Sequence, residues 1–221
     1  MIALKNVKKM YRKKTIYENI NGDIPTNGIT LLIGANGIGK TTLLKMIAGI
    51  EKTSSGDILF DGVQMTMKQR QQSISYVPQE IALWEHLTLE ENIQFFLGLI
   101  DNPISKERID AYIHAFQLKD MMRMKVKKLS GGTQRKGNLL IGLLSDPKIL
   151  LLDEPTVGID LASRINIQQM LEQLQETCTI VMTTHLIDEI DHFDQQLVVI
   201  GKEPFYENLL LEKGKSFVQW Q

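Results

Sequence analysis

The sequence predicts an α/β fold with a mainly parallel sheet covered by helices, an N-terminal antiparallel β subdomain and an inserted α-helical subdomain. Three observations carry this expectation. Residues 29–33, 149–152 and 179–182 are apolar apart from Thr30 and Thr179, as strands buried on both faces of a parallel sheet are. The first 30 residues are different: 2–7 and 16–24 are short, separated by a turn and partly alternating, which favours antiparallel strands. Between 87 and 144 the apolar period becomes helical, with Leu89, Ile93, Phe96 and Leu97 on one face and Ile109, Ile113 and Phe116 on another.

Along the chain, the basic residues Lys5, Lys8, Lys9, Arg12, Lys13 and Lys14 read as a solvated turn face. The run 29–33 leads into a glycine-rich stretch and then a helix over 42–48. A further strand is expected over 73–77, ending at Pro78-Gln79. The runs 149–152 and 179–182 lead into the polar segments 153–160 and 183–185. Ligands of open α/β sheets bind at the carboxyl ends of strands, so these junctions should converge on one site. The inserted helical subdomain is expected over about 80–145 within a single domain of 1–221. No internal repeat or low-complexity linker interrupts the chain.

Composition sets limits on function. Hydrophobic residues make up 43% and charged residues 23% of 221, the balance of a globular rather than a disordered chain. With 25 Lys+Arg against 26 Asp+Glu, the net charge is −1. That balance disfavours a chain-wide polyanion-binding surface while leaving room for a local basic patch, and no nucleic-acid partner is expected. One cysteine, Cys178, excludes an internal disulfide framework and fits a reducing compartment. No apolar stretch nears the ~18–20 residues that cross a bilayer, and no signal-peptide pattern opens the chain. A soluble, cytoplasmic location follows as an expectation.

The strongest motif is Gly34-Ala35-Asn36-Gly37-Ile38-Gly39-Lys40-Thr41, with Thr42 next, a G-x-x-x-x-G-K-[ST] phosphate-binding loop. Glycines let successive backbone N–H groups turn inward, and the following helix points its positive end at the phosphates. Lys40 should reach the β- and γ-phosphates, and the Thr41 hydroxyl should bind Mg²⁺. The aliphatic run 149–152 ends in Asp153 and Glu154. There Asp153 would hold Mg²⁺ and Glu154 would polarise an attacking water. Together the two motifs point to an NTPase. A third, Leu129-Ser130-Gly131-Gly132-Thr133, reads as a second anion cradle at a helix start, or in isolation as an ordinary Ser-Gly-Gly turn. One active site does not need two phosphate cradles, whereas two facing chains do.

These residues resemble the nucleotide-binding domain of ABC transporters, a P-loop NTPase with a RecA-like core, along almost the whole chain. Residues 34–41 match that family's Walker A motif, 149–153 its Walker B, and Glu154 stands in the place of its catalytic carboxylate. Residues 129–133 look like its LSGGQ signature. The resemblance implies that Gln79 is the Q-loop glutamine, contacting Mg²⁺ and sensing a membrane partner. It implies that His185 is the switch histidine on the γ-phosphate, and that Asp160, in Gly158-Ile159-Asp160, belongs to the D-loop at a dimer interface. Tyr11 stands where the family places an aromatic that stacks on adenine; packing against the N-terminal sheet is the competing role. His86, His114 and His192 read as solvated. Thr133 replaces the usual glutamine of the signature, which bears on the opposing ribose and on turnover rather than on ATP binding.

The resemblance implies an ATPase subunit using ATP and Mg²⁺, paired with a second ATPase chain (a homodimer is expected) and with a transmembrane permease subunit. Its place would be the inner face of the cell membrane. Non-transport ABC ATPases fit less well: Lys40 and Leu129 leave no room for a long coiled coil, and each motif occurs once. A silent regulatory module is disfavoured because Lys40, Asp153, Glu154 and His185 are all present. The stretch from Trp84 through Leu87-Thr88-Leu89-Glu90-Glu91-Asn92 resembles exporter ATPases, and the chain stops soon after His185. Both features favour export.

Overall fold

The computed structural model describes residues 1–12, 14–193 and 196–220. Strands β1 (Ile2–Tyr11), β2 (Lys14–Ile24) and β4 (Ser55–Phe60) form an antiparallel sheet in the order β2–β1–β4. Strands β3 (Gly28–Ile33), β5 (Ile74–Val77), β6 (Ile149–Asp153), β7 (Thr179–Thr184), β8 (Gln196–Ile200) and β9 (Val218–Trp220) form a second sheet. Its order is β5–β6–β7–β3–β8–β9, and every neighbouring pair is parallel. The helices are α1 (Lys40–Ala48), α2 (Met67–Ser73), α3 (Leu89–Leu97), α4 (Lys106–Ala115), α5 (Gly131–Leu143), α6 (Leu161–Leu174), α7 (Ile187–His192) and α8 (Pro204–Glu212). Among the described residues, no helix is long and apolar enough to cross a membrane.

The central strands have continuous apolar runs because each feeds two cores. Leu31, Ile33, Leu150, Leu152, Ile180, Met182, Leu197 and Val199 face a cluster shared with α3, α5 and α6. Their alternates Leu32, Ile149, Leu151, Val181, Val198 and Ile200 face a second cluster with α1 and the antiparallel sheet. Successive side chains of a strand point to opposite faces, so covering both faces demands an apolar residue at every position. Each such side chain contributes ~1.5–3 kcal/mol on burial.

Three expectations change. Ser73 closes α2 rather than opening a strand: a capping box between Thr66 and Gln69 starts that helix, and β5 begins only at Ile74. Lys9 is not a solvated turn residue. It lies on β1, only 8% exposed, with its ammonium 3.0 Å from Glu51 and 2.8 Å from the Lys52 carbonyl. Lys5 and Lys8 are also strand residues, and Lys13 lies outside the described residues. Beyond the expected sheet, β4, β8 and β9 add strands. Buried Trp220 of β9 fills the space at Gly22, where an added Cβ would fall 2.2 Å from Trp220 Nε1 and so break the contact between the two sheets.

Candidate active site

Four neighbouring parallel strands end at one edge. β3 opens into 34–39, β6 ends on Asp153, β7 ends just before His185, and β5 ends two residues before Gln79. The loop after β3 leaves Asn36 and Gly37 exposed. Helix α1 starts at Lys40 with no side-chain cap and no acidic residue in its first turn. Its first N–H groups therefore have no side-chain acceptor, the condition for anion binding at a helix start. Gly39 is required here. Its φ is 115°, and a Cβ would lie 2.6 Å from both Ile16 Cγ2 and the Tyr17 hydroxyl.

Lys40 is 5% exposed and folds back over the loop, donating to the Gly34 carbonyl at 2.7 Å and the Ala35 carbonyl at 3.2 Å. Burial lowers its pKa, and the nearby charges of Glu154, Asp153 and Glu203 oppose that shift. A lysine held among carboxylates keeps its charge available for phosphate. The Ala35 N–H donates to Glu203 at 3.4 Å, and Ile38 lies against Gly201. Thr41 and Thr42 sit half-buried in the first turn of α1.

Asp153 is 3% exposed; its carboxylate accepts from the Thr183 hydroxyl at 2.7 Å and from the Tyr76 hydroxyl at 3.3 Å. Burial, then Asp153 itself, pushes the Tyr76 phenol up, so it stays protonated and donating. Glu154 turns with φ 47°, and its N–H donates to Thr183 Oγ1 at 2.9 Å. Its side chain lies between two others: Gln79 Nε2 donates to Oε2 at 3.2 Å, and His185 Nδ1 is 3.2 Å from Oε1. The Arg135 guanidinium donates to the Gln79 carbonyl, and its charge faces Glu154 and Asp153.

The hydroxyl of Thr41, the carboxylate of Asp153 and the amide oxygen of Gln79 are all oxygen donors, the set a hard Mg²⁺ takes. Gln79 uses its nitrogen on Glu154 and keeps its oxygen for such a role. Among the described residues, no group of three or more His, Cys, Asp and Glu is arranged to hold a metal. These three donors would therefore share the ion with phosphate oxygens.

Ser130, Gly131, Gly132 and Asp160 form a separate group at the starts of α5 and α6, whereas Tyr11 stands beside Thr42. Ser130 and Gly131 are exposed at the start of α5, where Ser130 Oγ accepts from the Thr133 N–H at 3.2 Å and caps the helix. Gly132 is buried, and a Cβ there would lie 2.5 Å from Ser163 Oγ and 2.9 Å from Asp160 Oδ2. Asp160 caps α6 through the Ser163 N–H at 2.9 Å. Tyr11 is 43% exposed at the end of β1. Its hydroxyl interacts with Glu51 and the Thr42 side chain, and the Lys9 ammonium lies 4.6 Å from its ring centre.

A family model described as ABC transporter matches residues 17–157. The chain belongs to the ABC transporter ATP-binding family. It is 35% identical over 208 residues to the linearmycin resistance ATP-binding protein LnrL of Bacillus subtilis, covering 91% of this chain and 67% of the relative. It is 31% identical over 222 residues to the aliphatic sulfonates import ATP-binding protein SsuB of Bacillus thuringiensis, covering 98% and 87%. A dimeric bacterial ABC transporter cassette superposes with TM-score 0.79 at 26% identity, covering 90% of this chain and 94% of that one. The protein is thus an ATP-binding subunit of an ABC transporter and an ATPase.

Several residues of this ABC ATPase site escape a sequence reading. Thr183 and Tyr76 orient Asp153, Arg135 holds the Gln79 backbone, and Glu51 with Lys9 fixes Tyr11. Thr183, two residues before His185, Tyr76, three before Gln79, and Arg135, just after 129–133, lie in runs that the sequence marks, but what each of them holds comes from tertiary contact alone.

Proposed function

We propose that this chain is the MgATP-driven motor of an exporter, closing on a second copy of itself and passing that movement to a separate permease. The supporting observation is the line Gln79–Glu154–His185, with the Glu154 carboxylate held at 3.2 Å on both sides beside buried Lys40. In this reading 1–221 is one ABC ATPase domain with its helical subdomain at about 80–145. Residues 34–42 cradle the phosphates through backbone N–H groups, and Lys40 neutralises the β- and γ-oxygens. Tyr11 stacks on adenine. Glu154 accepts a hydrogen bond from water and aligns it for in-line attack on the γ-phosphorus. His185 bonds a γ-phosphate oxygen. Thr41, Asp153 and Gln79 would hold Mg²⁺, which would neutralise phosphate charge. Ser130, Gly131 and Gly132 close on the nucleotide of the other chain, and Asp160 borders that interface. The chain sits on the cytoplasmic face of the membrane through its permease.

Export is supported by the 84–92 pattern and by the relative named for linearmycin resistance. The sulfonate import relatives favour the opposite direction. Isolating the subunit that co-purifies from native membranes and reconstituting the pair in vesicles tests the proposal. ATP-driven movement away from the ATPase side is expected. ATP-driven uptake toward that side would overturn export, and recovery with no polytopic subunit would overturn the transporter role.

A further inference from the structure

Glu189 of α7 is 1% exposed, a depth at which a carboxyl group rarely lacks partners. Both of its oxygens are taken by hydroxyls: Thr156 donates to Oε1 and Thr184 to Oε2. The two threonines are themselves fully buried. Thr156 follows Glu154 by two residues, and Thr184 directly precedes His185. The Thr184 oxygen also accepts from the Leu186 N–H at 3.0 Å, which ties the backbone on the far side of His185 to the same point. One carboxyl group therefore fastens the chain leaving β6 to the chain leaving β7. It does so behind the two side chains that meet at 3.2 Å, Glu154 and His185.

We propose that Glu189 is a positioning residue for ATP hydrolysis, setting the separation of Glu154 and His185 by clasping Thr156 to Thr184. The proposal rests on Glu154 and His185 acting as described above. Glu189 has no place in the phosphate cradle, so it acts on the transition state and not on nucleotide binding. Misplacing a catalytic group by about 1 Å costs on the order of 10²-fold in rate, whereas contacts made equally in ground and transition states alter KM. A bystander carboxyl group in the core would instead change thermal stability and leave turnover per folded molecule alone.

The test is steady-state ATP hydrolysis by the full chain, with nucleotide affinity and folded fraction measured on the same samples. Glu189→Ala is expected to lower kcat by roughly tenfold or more, with KM for ATP within about twofold of wild type. Glu189→Gln keeps one acceptor and offers an amide to the second hydroxyl, so it is expected to recover most of the loss. Unchanged kcat in folded Glu189→Ala would overturn the proposal. So would a Gln variant no better than Ala. If Glu189→Ala does not fold, Thr156→Val and Thr184→Val each remove one strap of the clasp at nearly constant volume. The same fall in kcat at constant KM is expected, and wild-type kcat in both would overturn the clasp. Glu154→Gln measured alongside separates the two readings: a fast Glu154→Gln enzyme overturns the assignment of the base, and a slow one beside a fast Glu189→Ala overturns the clasp alone.

Discussion

The two glycine-rich helix starts of this chain differ in how they are completed. At α1 no side chain caps the helix, no acid stands in its first turn, and Lys40 lies buried across the loop. At α5 the cap is already made by Ser130, while Ser130 and Gly131 face solvent. The glycines are also anchored differently. Gly39 is pressed against Ile16 and Tyr17, Gly132 against Asp160 and Ser163, and Gly131 has nothing within 4 Å of an added Cβ. An uncapped helix start beside a buried cation is an anion site ready within one chain. A capped and exposed one has its own N–H groups partly satisfied and lacks an opposing surface. On the proposed function, the contrast makes the second cradle half of a site, packed on α6 through Gly132 and completed by a nucleotide on another chain.

The comparison breaks most visibly at Lys40. Lys40→Ala should reduce ATP turnover by at least about 10²-fold, the size of effect seen when a transition-state charge contact is removed. Circular dichroism should show the fold intact, and near-normal hydrolysis by the folded variant would refute the role of the first cradle. Gly39→Ala comes next, since it adds a clash at 2.6 Å to a φ of 115°. It should cost on the order of 2–4 kcal/mol in urea unfolding. Tyr11→Ala should weaken ATP binding by ~1–3 kcal/mol, measured calorimetrically; unchanged affinity would make Tyr11 a packing residue. The smallest effect sharpens the contrast. Gly131→Ala should leave stability within about 0.5 kcal/mol yet slow hydrolysis at concentrations where two chains meet.

Much of this was legible before the structure, for identifiable reasons. β3, β6 and β7 showed themselves because burial on both faces leaves only Thr30 and Thr179 as polar positions in their apolar runs, and the two glycine-rich helix starts because their pattern is local. Less local features did not show. Trp220 of β9 packs on Gly22, nearly the whole chain away, and three residues carry no period of their own. Lys9 reads as one more charge in a basic segment until Glu51 is placed beside it by the pairing of β1 with β4. Glu189 lies in the polar hexamer Ile187–His192, whose composition suggests a surface turn of helix. Only the adjacency of β6 and β7 brings Thr156 and Thr184 to it.

The claim that the second cradle serves another chain is tested most directly by the mass of Glu154→Gln in MgATP. The substitution keeps the shape of the Glu154 side chain but removes the charge that, on the proposed function, activates water, so the closed state should persist. ATP shifts that equilibrium only through a contact made in the closed pair and absent elsewhere, which on the proposed function is the γ-phosphate on Ser130, Gly131 and Gly132. Light scattering after size exclusion should give a dimer for Glu154→Gln in MgATP, and a monomer in MgADP. Adding Ser130→Arg should return the protein to a monomer that still binds nucleotide. A Glu154→Gln protein that binds MgATP and stays monomeric would contradict the self-complementary pair.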